Sequence, residues 1–473
     1  MNIFRKAIDW VSQILKRTAQ EDFDVVSQTS NEMESYLEKC ANIYRGVPEW
    51  LDEEDGIKTI NVAKTICSET ARLTTLNLTV SITGSKRAEW LQEQIDKLFK
   101  DKRLRHWVEY GLAMGTVIFK PNGTDVDILT PSDFIITQED NGTTTGIIFV
   151  DDSVSEDGER YYTRLEHHRY VDDIYTITNK VYVGSKRRAI DREVLLANSP
   201  WDKLDEEITI KDLKQPLFGI FKTPMANNID FTSSLGLPIF GDAIEELQDL
   251  DIAYSRNAYE IFTSDRTVLL DSDRLMPSGA RVTSLSNMAQ TIKTMKLPKF
   301  VRNVYGDGSS NFYQEINPAL NTQTRLEGIN ALLSQIGYKC GFSNGYFVFN
   351  SKTGMVTATQ VESDDRRTIQ TIKDIRDGLE QALDELVIAL DEFANLYDTV
   401  PSGDYEVAYN FGDITYNVEE DRARWYSYVI GGKVPFWYFL TKFEGFTEEE
   451  AKEMEKNATP QDMQLFQNEG DED

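Results

Sequence analysis

The run Leu235-Gly-Leu-Pro-Ile-Phe-Gly-Asp-Ala-Ile-Glu-Glu-Leu-Gln-Asp-Leu-Asp-Ile-Ala-Tyr254 marks a change in the character of the chain. Ser233, Ser234, Gly236 and Pro238 close a β-rich region there, since Gly and Pro interrupt regular hydrogen bonding. Beyond them the apolar positions Ile244, Leu247, Leu250, Tyr254, Ala258 and Ile261 advance by 3, 3, 4, 4 and 3 residues. That spacing traces one face of a helix. The other face is read as acidic, with Asp242, Glu245, Glu246, Asp249 and Asp251.

Downstream, residues 266–317 are polar, with short β-like runs at Thr267–Leu270 and Asn311–Tyr313. Arg266, Arg274, Arg281, Lys293, Lys296, Lys299 and Arg302 outnumber Asp271, Asp273, Asp307 and Glu315 there, giving a compact and locally basic insertion. A second helix is predicted from Thr322 to Gly341, with Leu326, Ile329, Leu332, Leu333 and Ile336 on one side. A loop punctuated by Gly, Phe342–Met355, leads to the longest helix. Its series Ile372, Ile375, Leu379, Leu383, Leu386, Leu390, Phe393 and Tyr397 steps by 3 or 4 throughout. Pro401 and Gly403 end it, and a strand is expected at Tyr405–Phe411. The order is therefore a helical hairpin with a knob at its tip, a loop and a long helix. Each hairpin helix has one apolar and one polar face, which suits lateral packing of like subunits in a ring, with the acidic sides toward a lumen.

Upstream, a helix runs through Tyr36 and Cys40 to a stop at Arg45-Gly46-Val47-Pro48. Residues 61–76 read as a helix, Leu78–Ile82 as a strand, and residues 88–119 as a helix pair entering a strand at Thr116–Phe119. A β-rich stretch follows, with Asn-Gly turns at Asn122 and Asn141 and strands at Asp127–Leu129, Thr145–Val150, Tyr161–Leu165, Ile174–Ile177 and Lys180–Val183. The fold class is α+β. At the C-terminal end, helices near Glu419–Ile430 and Thr447–Lys456 surround the turn Gly431–Pro435, Thr447 and Glu450 form a capping box, and residues 457–473 are an acidic tail expected to be disordered.

A chain of 473 residues predicts two to four structural units, and 40% hydrophobic residues fill real cores. With 50 basic and 79 acidic residues the net charge is −29, the opposite of a nucleic-acid binder's usual footprint. Cys40, Cys67 and Cys340 are too few for a disulfide framework and fit a reducing compartment. No apolar run approaches the roughly 18–20 residues that span a bilayer. The basic amphipathic N-terminus, residues 1–17, lacks a cleavage site and reads as a helix docked on protein, with a membrane surface as the alternative.

Motifs for chemistry are missing. The three histidines, His106, His167 and His168, form no zinc pattern. Neighbours on a strand point to opposite faces, so the His167-His168 pair reads as surface rather than ligand. Around Gly432-Lys433, Ser427 and Val434 replace the glycine and hydroxyl that a phosphate loop needs, and no nucleophile elbow appears. No catalytic residue, metal or cofactor is assigned.

Several segments together resemble the portal proteins of tailed bacteriophages, especially the long-tailed type of Gram-positive hosts. Ile43-Tyr-Arg-Gly-Val-Pro-Glu-Trp50 is similar to the family's N-terminal Tyr-x-Gly…Trp element, and Ala63-Lys-Thr-Ile-Cys-Ser-Glu-Thr-Ala-Arg-Leu73 to the helix after it. The run 235–254 is similar to the lead-in of the first stem helix. Thr353-Gly-Met-Val-Thr-Ala-Thr-Gln-Val-Glu-Ser363 resembles the segment opening the long helix, with Gln360 in place of the usual acidic residue. Residues 419–456 resemble the C-terminal helical crown.

The resemblance implies a portal fold: a wing (1–237 and 358–417), a two-helix stem (238–265 and 318–343), a small α/β clip (266–317), a channel loop (344–357) and a crown (418–456). It implies a homo-oligomeric ring of about twelve subunits at one capsid vertex of the virion, assembled in the host cytoplasm. Double-stranded DNA would pass through it in packaging and ejection. The large terminase subunit and a head-completion adaptor would dock on the clip, beside major capsid and scaffolding proteins, with no membrane partner. Asn350, Ser351, Lys352 and Thr353 are the expected DNA-channel residues, with Lys352 the principal lumen cation. Arg281, Lys293, Lys296, Lys299 and Arg302 are the expected docking residues of the clip. The alternatives are a minor capsid or adaptor protein that forms no ring, and a DNA-packaging enzyme.

Overall fold

The computed structural model describes residues 13–51, 56–123, 125–140, 142–155, 158–213, 215–263, 267–271, 301–304, 313–316, 321–349, 358–412, 425–430, 433–444 and 446–457. The chain divides into two compact units, Met1–Phe411 and Gly412–Asp473. The expected helix over residues 1–17 lies mostly outside the described residues, which begin with helix α1.

The first unit is α+β. It opens with α1 (Gln13–Phe23), α2 (Asn31–Tyr44) and α3 (Val62–Thr74), then β1 (Thr79–Gly84), α4 (Lys86–Lys100) and α5 (Leu104–Met114). The Ser30 side chain caps α2 by accepting from Met33 N at 3.2 Å, and Asn61 caps α3 through Lys64 N at 3.3 Å. Next come β2 (Thr116–Asn122), β3 (Asp125–Leu129), β4 (Phe134–Asp140), β5 (Thr143–Val154), β6 (Tyr161–Val171), β7 (Ile174–Gly184), β8 (Arg192–Val194), β9 (Glu207–Lys211) and β10 (Gly219–Lys222).

β4 to β8 form an antiparallel meander in chain order, and β9 shares the outer edge of β7 with β8. Both expected Asn-Gly positions fall between paired strands, Asn122 opposite Asp125 and the second between Asp140 and Thr143. The two strands read at 174–177 and 180–183 are one continuous β7. Its hairpin with β6 turns on Asp172 and Asp173, both at positive φ (51° and 60°), as a two-residue turn with matching twist requires. A second sheet orders its strands β10-β2-β3.

The histidine pair corrects the surface reading. His167 and His168 are 7% and 3% exposed, because the meander is covered on both sides at this point. Phe23 of α1 packs on the His167 ring at 5.0 Å, while Phe149, Tyr175 and Phe218 surround His168. Burial pushes the His167 imidazole down to about 4. Beside His168, Lys120, Arg164 and Glu166 form a buried ion cluster that extends to the half-buried Asp151. Lys120 Nζ lies 2.5 Å from Glu166 Oε2, and Arg164 Nη2 lies 2.9 Å from the same oxygen. The neighbouring cations hold Glu166 well below the usual carboxylate range despite its burial.

Helix α6 (Ile244–Thr263) leads to the small sheet of β11 (Thr267–Asp271), β12 (Val301–Val304) and β13 (Tyr313–Ile316), ordered β12-β11-β13, with β11 and β12 parallel. β12 is not among the β-like runs read from sequence, and β13 shares only Tyr313 with the run read at Asn311–Tyr313, the rest of which lies outside the described residues. Helix α7 (Thr322–Lys339) returns, and α8 (Ala358–Leu396) runs for 39 residues before β14 (Tyr405–Asn410) pairs with β1.

α8 is the hub of this unit. Ile372, Ile375, Leu379, Leu383, Leu386 and Leu390 are all buried, as the 3/4 spacing predicts. It lies against β10, where a side chain at Gly219 would collide with the Ala382 carbonyl. The Glu385 carboxylate accepts from Ile220 N at 2.9 Å, so the helix covers a sheet edge that would otherwise expose a donor. Two buried arginines fasten it. Arg87 of α4 donates to Asp391 O, Asp391 Oδ1, Asn395 Oδ1 and Val400 O, satisfying carbonyls at the helix C-terminus. Arg376 of α8 donates to Leu73 O and Thr74 O at the end of α3.

The second unit contains a helical stretch at 425–430, α9 (Phe436–Glu444) and α10 (Glu448–Asn457). The capping box is present: Thr447 N donates to Glu450 Oε2 at 3.0 Å and Glu450 N to Thr447 Oγ1 at 3.4 Å. α9 departs from the sequence reading, which placed no helix there. The run Phe436-Trp-Tyr-Phe-Leu440 is apolar in every direction and so carries no helical period to detect.

Candidate functional site

Three elements meet where the hairpin joins the rest of the first unit: α6, α7 and the segment 340–349. The start of α6 is set by a close crossing of two glycines. Gly115 adopts φ 81°, and a Cβ on either Gly115 or Gly236 would strike the other's backbone. Thr223 Oγ1 donates to Leu237 O at 2.6 Å and Ile239 N to Leu112 O at 2.9 Å, which fixes the chain entering α6.

α6 and α7 are antiparallel and tied at both ends. Lys339 Nζ lies 2.6 Å from Glu246 Oε1, which also accepts from Gln335 Nε2 at 3.0 Å. At the other end Glu260 pairs with Arg325. On α6, Asp242, Glu245 and Asp249 are exposed, in keeping with an acidic face. Glu246 and Asp251 correct that reading. Glu246 faces Lys339, and Asp251 is 3% exposed because it follows Leu247 by four residues and shares its buried side. The Asp251 carboxylate accepts from Trp50 Nε1 and Ile60 N, both at 2.9 Å, while burial raises its pKa. Sequence reasoning had singled out Trp50 only by resemblance; its partner is 201 residues away.

The apolar stripe of α6 is only half covered. Leu247 and Leu250 are buried, whereas Tyr254 and Ile261 are 39% and 49% exposed.

The segment after α7 is fastened to three helices. Gly341 turns the chain at φ 83°, its carbonyl accepting from Thr371 Oγ1 at 2.8 Å. Thr368 Oγ1 accepts from Ser343 N at 2.9 Å, so α8 holds this turn through hydroxyls one helical turn apart. The Arg367 guanidinium stacks 3.8 Å over Tyr338 and donates to its carbonyl at 2.9 Å. The buried Phe342 ring packs with Tyr346 and Phe347. Tyr346 Oη donates to Glu69 Oε1 at 2.6 Å, and Arg72 binds Glu69 bidentately at 2.7 and 2.8 Å, holding that carboxyl below its ordinary pKa. Finally the Asn330 amide pairs with the backbone of Phe349, accepting from its N–H and donating to its carbonyl, both at 2.9 Å. None of these anchors was singled out from sequence. The signal available was only the polar spacing Arg367, Thr368, Thr371.

Among the expected site residues, Asn350, Ser351, Lys352 and Thr353 lie outside the described residues, as do Arg281, Lys293, Lys296 and Lys299. Arg302 is on β12, paired in register with Leu269 of β11. Among the described residues, no group of His, Cys, Asp or Glu could hold a metal ion, and no helix is long and apolar enough to cross a membrane.

The family model described as "Phage portal protein, SPP1 Gp6-like" matches residues 31–463. The chain belongs to that phage portal family. Portal proteins are structural components, and the match spans both compact units. No curated protein matches the chain. Among solved structures, a chain from the virion of a native gene transfer agent particle is 11% identical, with a TM-score of 0.41 over 88% of this chain and 94% of that one. A chain from the neck of an empty gene transfer agent particle is also 11% identical, with a TM-score of 0.40 over 85% and 92%.

Proposed function

We propose that copies of this chain close into a ring of about twelve at one vertex of a phage capsid, a conduit for double-stranded DNA in packaging and ejection. The observation that carries this is the family match over 31–463. It encloses α6, the insertion, α7 and α8. In this reading α6 and α7 are the stem, the insertion 266–317 is the clip, 344–357 the channel loop, 418–456 the crown and the remainder the wing. The long-tailed type of Gram-positive hosts is part of the same proposal.

The charge balance supports it physically. A conduit works if the duplex slides, and phosphate contacts repeated by every subunit would add up and hold it. Asp242, Glu245 and Asp249, repeated around a bore, repel the duplex over a Debye length of roughly 8–10 Å. Contact with DNA then falls to the channel loop, through Lys352 with Asn350, Ser351 and Thr353. The basic excess of the clip, Arg281, Lys293, Lys296, Lys299 and Arg302, serves docking of acidic surfaces on the large terminase subunit and, later, on a head-completion adaptor. Major capsid and scaffolding proteins surround the wing in the capsid.

Light scattering on the purified full chain at micromolar concentration tests the ring. A single species of many multiples of 54.1 kDa is expected, and a monomer overturns the reading. In a phage carrying Lys352→Ala, impaired packaging or DNA retention is expected; unchanged particles would remove Lys352 from the channel.

A further inference from the structure

The turn between α4 and α5 breaks the acidic character of the chain. Residues 97–106, Lys-Leu-Phe-Lys-Asp-Lys-Arg-Leu-Arg-His, hold five basic side chains, one acid and a histidine in a chain whose net charge is −29. Three of the five are already matched. Lys97 lies 3.1 Å from Glu93, Lys100 2.9 Å from Asp96, and Lys102 2.7 Å from Asp125 of β3. Arg103 and Arg105 are exposed and make no hydrogen bond or ion pair among the described residues. On α5, Leu104, Val108 and Leu112 are buried, whereas His106 and Tyr110 are exposed and Trp107 is half-buried. Trp107 and Tyr44 of α2 both meet the Tyr110 ring edge to face, with centroids 5.4 and 6.2 Å away, and Tyr44 Oη donates to Glu109 Oε1 at 2.7 Å. These rings are held in place before anything binds, which lowers the entropy lost on binding.

Local stability does not account for the cations. The first turn of α5 has no acidic residue and carries Arg105 and His106, although the positive end of a helix dipole favours anions. Arg103, the N-cap, sits at φ 55° without a side-chain cap, in the left-handed region that disfavours any residue with a Cβ. Natural chains keep such departures at functional sites.

We propose that Arg103, Arg105, His106, Trp107 and Tyr110 form a docking surface for an acidic segment of a partner protein. Carboxylates of the segment take the two guanidiniums, whose forked donors match them, and an apolar side chain lies on Trp107 and Tyr110. The surface does not depend on the ring reading. Charge complementarity selects the partner, because a short acidic segment meets only this patch. A duplex would bring its phosphates against the whole negative chain and release few counterions at two free arginines. Arg, Trp and Tyr are also the side chains that dominate the energy of protein–protein contacts.

Fluorescence anisotropy on the full-length protein at low salt tests this, with three labelled probes: a short peptide of Glu, Asp, Leu and Phe, its counterpart with Gln and Asn for the acids, and a DNA duplex. The acidic peptide is expected to bind about tenfold or more tightly than the amide peptide, and to weaken with salt. Arg103→Gly and Arg105→Glu should each weaken it about threefold to tenfold, while the melting temperature stays level or rises as the backbone strain and the dipole conflict are relieved. Lys203→Glu, which makes the same charge change at an exposed lysine elsewhere, should bind as the parent does. Equal binding of the acidic and amide peptides overturns the proposal. Binding lost in step with thermal stability also overturns it, by making the arginines structural. A duplex held more tightly than the acidic peptide, and released by Arg105→Glu, overturns it in favour of nucleic acid. A lower assembled fraction in Arg105→Glu overturns it in favour of a second copy.

Discussion

The bed of α8 and the α6–α7 hairpin are both helical, yet their polar groups are treated in opposite ways. Arg87 is 1% exposed and spends its donors on carbonyls and side chains at the end of α8; Arg376 closes the end of α3 in the same manner. The hairpin keeps its ion pairs, Glu246–Lys339 and Glu260–Arg325, near the surface and leaves half of an apolar stripe bare. A region whose polar groups are satisfied internally can stand alone. The hairpin instead leaves Tyr254 and Ile261 39% and 49% exposed.

The largest expected effect is on the self-contained side. Arg87→Met leaves the Asp391 carboxylate and several carbonyls without their donor and should cost about 3–5 kcal/mol in denaturant unfolding. A loss below 1 kcal/mol would remove the contrast. Within the hairpin, one stripe supplies its own control. Leu250→Ala, at 0% exposure, should cost about 2–4 kcal/mol, and Ile261→Ala, at 49%, under about 0.5 kcal/mol in the dissociated subunit. Equal costs would mean the stripe is covered along its length.

Acid provides a third lever on the buried meander. His167 titrates near 6.5 when unfolded and about 4 when folded, so between those values the unfolded chain binds more protons. Stability is therefore full above pH 6.5 and falls toward pH 4, by about 3 kcal/mol from this residue. His167→Gln should flatten that slope, which thermal melts from pH 7 to 4 would register. The smallest effect belongs to the hairpin's surface tie: Lys339→Ala should cost about 0.2–1 kcal/mol and respond to salt.

What could be read from sequence follows the same division. The 3/4 spacing located α6, α7 and α8 and picked the buried positions Ile372 to Leu390, because a helical period is local information, but Tyr254 and Ile261 of the α6 series and Tyr397, past the end of α8, are exposed. It could not say what lies over a face. Asp251 was placed with the acids, yet the indole of Trp50, far away in sequence, covers it. The His167-His168 pair was read from strand alternation, which assumes one wet face; α1 covers one side and Phe218 the other. α9 was missed because aromatics at every position erase the period. The anchors of segment 340–349 depend on side chains of α3, α7 and α8 converging, and no spacing rule encodes that.

Electron micrographs of the purified full-length chain in negative stain test the central claim most directly. The account predicts end-on views of closed rings with a stain-filled central hole. A field of single subunits, or closed particles with no bore, would contradict it.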